Sequence, residues 1–339
     1  MCAYTPNRVL ATLAAGKSYA TFVQEMSAKG LHVVRELMRD LDGNAVYVIE
    51  ADDTENDVVE QMTMSIEETG SCSMVRPDHI YEANVVPNDT NYSSQWALEK
   101  IGASQAWDTR TDASSVLVAV LDTGVNYDHS DLQQNLWINN GEIPGDGIDN
   151  DGNGIVDDIF GMSSIGGNLS GSSMDDNGHG THCAGIIGAS GNNWRFISGV
   201  AWKARIMGLK FLDEEGRGSV SDAITCLRYA EDHGVKIVNC SFGSTDWDDY
   251  LYAQMKKMSQ QGTIFACAAG NASPGTSPRD NDEYPFYPCN YAIDTLVSVA
   301  ATDSNDALAS FSYYGAQNVD IAAPGVEIYS TVLGTYGLA

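Results

Sequence analysis

Five short runs dominated by apolar residues, Val116–Leu121, Ala204–Leu209, Lys236–Cys240, Thr263–Ala268 and Thr295–Ala300, alternate with stretches of helical periodicity, notably Ser221–Asp232 and Asp248–Gln260. A strand that is apolar along its length has both faces buried, and strands joined through helices bury both faces of a parallel sheet. The expectation is an α/β domain built on a doubly wound, mostly parallel sheet. At 339 residues the chain has room for one such domain and a smaller companion.

The companion is expected in the first 86 or so residues, whose texture differs. Val9–Ala14 reads as a strand, and Tyr19–Lys29 as a helix with Phe22, Val23 and Met26 at helical spacing. Leu31–Leu41 and Ala45–Ala51 read as strands joined at Gly43 and Asn44. Thr54 and Asp57 offer a capping pattern for a helix through Val58, Val59, Met62 and Ile66, and a last strand spans Ser71–Ala83. The order β-α-β-β-α-β is that of a small α+β, ferredoxin-like unit. Residues 87–94, polar and entered at Pro87, read as a linker, with residues 95–339 as the larger domain.

Eighteen Lys and Arg stand against 46 Asp and Glu, a net charge of −28, which argues against a nucleic-acid binder. No apolar run approaches a membrane span, and Val9–Ala15 is too short, and too interrupted at Thr12, for the core of an export signal. Seven cysteines without a CxxC suggest neither a disulfide scaffold nor a zinc site. Cys183 reads as a buried free thiol, while Cys226 with Cys240, or Cys267 with Cys289, remain open as pairs.

Three motifs carry chemistry-bearing side chains. VLVAVLDTG, Val116–Gly124, ends a strand in Asp122, and ligands in open α/β sheets gather at such carboxyl ends. Alone, an Asp capping the next turn is the plainer reading. NGHGTHCAGIIG, Asn177–Gly188, flanks His179 with glycines just before a helix, which sets the imidazole at the rim of the sheet; His182 reads as a packed, hydrogen-bonded histidine. FACAAGN, Phe265–Asn271, ends a buried strand in Gly270 and an amide able to donate to developing negative charge.

Together and in this order, Asp122, His179 and Asn271 resemble the motifs of the subtilisin-like serine proteases, the subtilase family. QWALEKIGASQAW at Gln95–Trp107, SFG at Ser241–Gly243 and IAAPGVEIYST at Ile321–Thr331 extend the resemblance over nearly the whole chain. It implies that Asp122 orients His179 as general base and that Asn271 stabilises an oxyanion. The walls of a peptide cleft would be Gly216, Gly218 and Val220 on one side, and Ser241, Phe242 and Gly243 with Ala268 and Gly270 on the other. It also implies polypeptide substrates, a secretory setting, and an inhibitor-like propeptide in residues 1–86 that blocks the cleft and is cut between about Tyr81 and Asn88.

The chain departs from the family in one respect. In the family the segment after the APG turn leads to Gly-Thr-Ser-Met-Ala, whose serine is the nucleophile, and residues 335–339 stop before it. Ser330 sits in the preceding strand and Ser241 belongs to another element, so the polypeptide as written is expected to be inactive. An incomplete protease sequence and a catalytically dead binding or inhibitory protein both fit; the first is favoured, because losing a core helix would bare apolar strand surface. A nucleotide-binding domain lacks its GxGxxG after the first strand.

Asp146–Asp158 reads DGIDNDGNGIVDD, an acidic turn suited to calcium, with Asp149, Asp151, Asn153, the Ile155 carbonyl and Asp158 or Asp157 as candidate ligands. Phe160 at the twelfth position excludes a true EF-hand. The resemblance alone suggests a second calcium ligand in Asp131, with Asp89 or Gln95 as its partner.

Overall fold

The computed structural model describes residues 4–52, 58–80, 85–334 and 336–338. The chain divides into two compact units, Met1–Ala83 and Asn84–Ala339. Thr54, Asp57 and Tyr81 to Ala83 lie outside the described residues.

In the first unit β1 (Tyr4–Leu13), α1 (Tyr19–Ala28), β2 (Leu31–Arg39), β3 (Ala45–Ala51), α2 (Val58–Glu67) and β4 (Cys72–His79) follow in sequence. The antiparallel sheet has the order β2-β3-β1-β4. Phe22 and Met26, four apart on α1, join Val59, Met62 and Ile66 of α2 over Val9, Ala11 and Ile49 of the two central strands. Each large side chain so buried contributes roughly 2 kcal/mol. β1 starts at Tyr4, earlier than the apolar run at Val9 predicts, because polar residues also pair there: Arg8 lies opposite Glu50 and donates Nε–H to it at 2.7 Å. β2 ends at Arg39 rather than Leu41, where the Asp40 carboxylate accepts the N–H groups of Asp42 and Asn44 and forms the turn.

The second unit contains α3 (Trp96–Lys100), α4 (Ala103–Thr109), β5 (Asp112–Asp122), β6 (Gly161–Ile165), β7 (Asn168–Ser170), α5 (His179–Gly188), β8 (Lys203–Lys210), α6 (Val220–Asp232), β9 (Ile237–Cys240), α7 (Asp249–Gln260), β10 (Ile264–Ala268), β11 (Leu296–Thr302), β12 (Ile321–Pro324), β13 (Tyr329–Thr331) and β14 (Tyr336–Leu338). Eight strands form one sheet in the order β12-β11-β10-β9-β5-β8-β6-β7, parallel except for the β6–β7 hairpin. The sheet is doubly wound, as the apolar strands require. Leu117, Ala119 and Leu121 of β5 pack in the cluster that includes Cys226 and Leu227 of α6 and Met255 of α7. Val120, the next residue round the pleat, packs with Ala184 of α5 and with Ile206.

Residues 88–94 are hydrogen-bonded within this unit. The N–H groups of Thr90 and Asn91 donate to the carbonyls of Arg195 and Phe196, and Asp89 is buried while accepting Asn192 N–H at 2.6 Å. Polar residues here meet hydrogen-bond partners in the same unit. On β10 and β12, Ile264 and Ile321 are 44% and 54% exposed. β13 clamps α5: the buried hydroxyls of Ser330 and Thr331 donate to the carbonyls of His182 and Thr181, at 2.8 and 2.7 Å.

Candidate active site

β5 delivers Asp122 to the carboxyl edge of the sheet, and α5 begins with His179. Gly178, at φ 107°, lets the chain turn into the helix, and Gly180 permits it to press on β5. A Cβ at position 180 would lie 2.1 Å from the Gly124 carbonyl oxygen and 3.1 Å from Asp122 Cβ. With that approach allowed, His179 Nδ1 and Asp122 Oδ1 are 2.7 Å apart, the carboxylate side chain wholly buried and the imidazole 48% exposed.

Asp122 Oδ1 also accepts Thr123 N–H at 2.7 Å, and Oδ2 meets no hydrogen-bond donor among the described residues. Oδ1 is thus shared between the imidazole and one backbone amide. The hydrogen bond to Asp122 raises the His179 pKa above its ordinary 6.5, with burial opposing and the charge of Asp122 adding to the rise. His182 is held differently: burial lowers its pKa, and its Nε2 lies 3.0 Å from the Ile328 carbonyl oxygen, the packed histidine that its position suggests.

A second carboxylate, which the sequence reading missed, shapes the loop. Asp175 is buried; Oδ1 accepts Thr123 Oγ1–H at 2.9 Å and the N–H groups of Asn177 and Gly178, and Oδ2 accepts Thr181 N–H and Oγ1–H. Burial works against the charge, yet these donors hold the Asp175 carboxyl below the usual carboxylate range. Thr123 Oγ1 in turn accepts Gly180 N–H at 3.0 Å. Lys210, also missed, is buried, with Nζ donating to the Thr123 and Leu212 carbonyls and to Asp176. The only signal for Asp175 was the acidic pair before NGHG, which reads like any polar turn.

Two hollows meet at His179. One, of about 530 Å³, is lined by Gly216, Gly218, Val220, Ser241, Phe242 and Gly243. The other, of about 420 Å³, is lined by Ser241, Ala268, Gly270 and Asn271. Every expected cleft residue thus borders a hollow that also reaches the imidazole. Asn271 is exposed at the end of β10. Gly270, at φ 110°, leaves no room for a Cβ, which would meet Tyr313 at 2.5 Å.

The thiol of Cys183 lies within 4.8 Å of ligand atoms of Asp122 and His179. Burial, and then the Asp122 charge, push its pKa up to about 12, so it remains a thiol and no nucleophile. Ser241 Oγ is occupied by Asn239 Nδ2–H at 3.0 Å and the Cys183 thiol at 3.6 Å. Cys226, Cys240, Cys267 and Cys289 are all free, so neither open pairing forms; Cys2 lies outside the described residues.

In the acidic loop the carboxylates of Asp149 and Asp151 converge with that of Glu142, which the motif spacing did not include. Asp158 sits instead in a second group with Asp151 and His233, wholly buried, accepting from Tyr229 Oη–H at 2.6 Å and from Asn139 and Asn153. Asn153 Oδ1 accepts Ile155 N–H at 2.8 Å. Three carboxylates with no Lys or Arg partner among the described residues are an oxygen donor set that fits a hard divalent cation. Asp131 is wholly buried, and Asn193 links it to Asp89 by donating to both. Gln95 spends its amide on Ser198, accepting N–H and donating to the carbonyl, both at 2.8 Å, so Asp89 is the partner that the fold brings toward Asp131.

Comparison with known proteins agrees with this geometry. The chain is 38% identical over 248 residues to thermitase of Thermoactinomyces vulgaris, covering 72% of this chain and 75% of that protein. It is 33% identical over 278 residues to the thermophilic serine proteinase of Bacillus sp. (strain AK1), covering 81% and 60%. It is 34% identical over 261 residues to subtilisin-like protease 1 of Plasmodium falciparum (isolate 3D7), covering 72% of this chain and spanning 38% of that protein. A model described as the subtilase family matches residues 113–338, the stretch that holds the Asp122–His179 pair, both hollows and all of the eight-stranded sheet but Asp112, the first residue of β5. On that match and that sheet, the chain belongs to the subtilase family.

Proposed function

We propose that residues 1–339 carry the base, its orienting carboxylate and the oxyanion donor of a serine endopeptidase whose nucleophilic serine lies outside them. The observation that carries this reading is the 2.7 Å contact between a wholly buried Asp122 and a half-exposed His179. Asp122 accepts Nδ1–H, which fixes the neutral tautomer whose Nε2 holds a lone pair. Nε2 takes the proton of an attacking hydroxyl, Asp122 stabilises the imidazolium that results, and the proton passes to the departing amine. Asn271 donates Nδ2–H to the oxyanion, a contribution of about 3 kcal/mol at such sites. The peptide lies extended between Gly216–Val220 and Ser241–Gly243, with Ala268 and Gly270 beside the scissile bond.

The exposed Ile264 and Ile321, each two residues before a residue (Ala266 and Ala323) of the hollow that reaches both His179 and Asn271, suit a covering segment that brings the serine to the imidazole. In the same reading residues 1–86 are a propeptide that blocks the cleft, cut between about Tyr81 and Asn88 once the serine is present, and the protein works in a secretory compartment. Calcium held by Glu142, Asp149 and Asp151, and by Asp131 with Asp89, would supply charge neutralisation and rigidity, and no step of the reaction.

A fluorophosphonate probe tests the proposal. A chain extended by the reading frame beyond Ala339 is expected to be labelled, and His179→Ala to abolish that labelling. Labelling of residues 1–339 alone, or labelling indifferent to His179, would overturn it.

A further inference from the structure

The hollow of about 530 Å³ has charge as well as apolar surface in its wall. Phe211, Ala223, Phe242 and Leu251 supply the apolar part, and Asp246, Asp248, Tyr287 and Tyr291 line the same space. Asp248 caps α7 through Oδ1 alone, accepting the N–H groups of Tyr250 and Leu251 at 2.9 and 2.8 Å. Asp246 uses its backbone N–H, to Ser244 Oγ at 3.2 Å. Neither carboxylate enters an ion pair among the described residues.

The tyrosines are held in place. Their ring centroids are 5.1 Å apart, both pack edge-on to Trp247, and Tyr291 Oη–H donates to the Asp248 carbonyl at 3.0 Å. Fixed ring faces beside two carboxylates that have no cationic partner among the described residues suit a cation carried on an apolar stem. The stem lies on the Phe and Leu surface while the charge reaches the carboxylates. A neutral apolar side chain would cover carboxylate oxygens and give them no donor. Arg217, on the Gly216–Gly218 segment, is the single Lys or Arg of this lining, so the carboxylates outnumber it.

Resting on the reading of this hollow as the peptide cleft, we infer that the wall formed by Asp246, Asp248, Tyr287 and Tyr291 selects a lysine or arginine side chain of the bound polypeptide. The preference comes from this wall and not from the chain's overall charge, which acts alike on every position of a substrate.

The test measures binding to the 339-residue chain and needs no turnover. Fluorescein-labelled hexapeptides, identical except for one lysine or norleucine moved from position to position, are titrated by anisotropy at low ionic strength. At one position lysine is expected to bind about tenfold more tightly than norleucine, the scale of one desolvated cation contact. Any segment of the chain that competes for the cleft weakens both peptides equally, so the ratio survives. Asp246→Asn with Asp248→Asn keeps a capping side chain and should bring the ratio to one, by weakening the lysine peptide and easing the cost of the norleucine one. A ratio that persists in this double variant overturns the inference. Equal binding of both peptides, weakened alike by Val220→Trp at the exposed mouth, overturns the cation assignment and leaves the cleft standing. Binding indifferent to Val220→Trp overturns both.

Discussion

Thr123 and Asp175 are joined by a 2.9 Å hydrogen bond that ties the end of β5 to the loop that carries His179. The same carboxylate collects the N–H groups of Asn177, Gly178 and Thr181, so one buried side chain sets where the imidazole stands. Replacing it strands several donors at once. Asp175→Ala should cost about 3 kcal/mol, the scale for losing a buried charged hydrogen-bond acceptor. Urea unfolding followed by tryptophan fluorescence reads it. A loss within error of zero would show that the loop finds its place without this residue.

The His179 titration should report the contact with Asp122. Its raised folded value means that the imidazolium is favoured in the native state, so this stabilisation is fully present below pH 6.5 and fades as pH rises through the raised value. Asp122→Asn should bring the titration down toward 6.5 or below it. Histidine ring resonances followed by NMR from acid to alkaline pH decide the matter; in the extended chain, the acid limb of the rate profile should move the same way.

Gly180→Ala should detach the helix from the strand. The new methyl would meet a backbone carbonyl at 2.1 Å, which cannot swing aside as a side-chain tip can. We expect a loss of about 2 kcal/mol in stability, in the range for an overpacked core site, together with a His179 titration close to 6.5. A normal titration in this variant would argue that the close approach does not set the pair.

Removing calcium should soften the acidic loop. If the cation is present at a hundred times its dissociation constant, it contributes about 2.7 kcal/mol, and a chelator should lower the melting temperature accordingly. Asp149→Asn should shrink the difference between chelated and calcium-loaded protein. Identical melting in both conditions for the parent chain would remove calcium from the account.

Alkylation should spare Cys226 and Cys289, which are buried, and Cys183, which, contrary to expectation, is only partly buried. Burial pushes Cys226 up to about 12 and Cys289 up to about 11, with Cys183 near 12, so thiolate is scarce at neutral pH. Iodoacetamide followed by peptide mass mapping should modify these three only after denaturation. Rapid modification of native protein at Cys183 would mean that the space beside the Asp122–His179 pair is open.

The parallel sheet and the Asp122–His179 pair were legible because each rests on a local rule: apolar runs mark doubly buried strands, and glycines round a histidine mark a close approach. Tyr4–Arg8 and residues 88–94 were not, since their order comes from partners far along the chain, Glu50 in the first case and residues 192–196 in the second. Asp175 and Lys210 escaped for a related reason. A carboxylate in a turn and a lysine at a strand end look like surface residues until the fold closes over them. Glu142 lay outside the alternation of the acidic turn, and Asp158 also accepts the Tyr229 hydroxyl, a partner far along the chain.

The clamp of Ser330 and Thr331 on the first turn of α5 crosses 148 and 150 residues of sequence. A ribosome has long since released the histidine loop by the time those two hydroxyls emerge. Through that interval a nascent polypeptide holds the aspartate and the histidine without the brace behind them, so the helix that begins at His179 gains its last support late in synthesis.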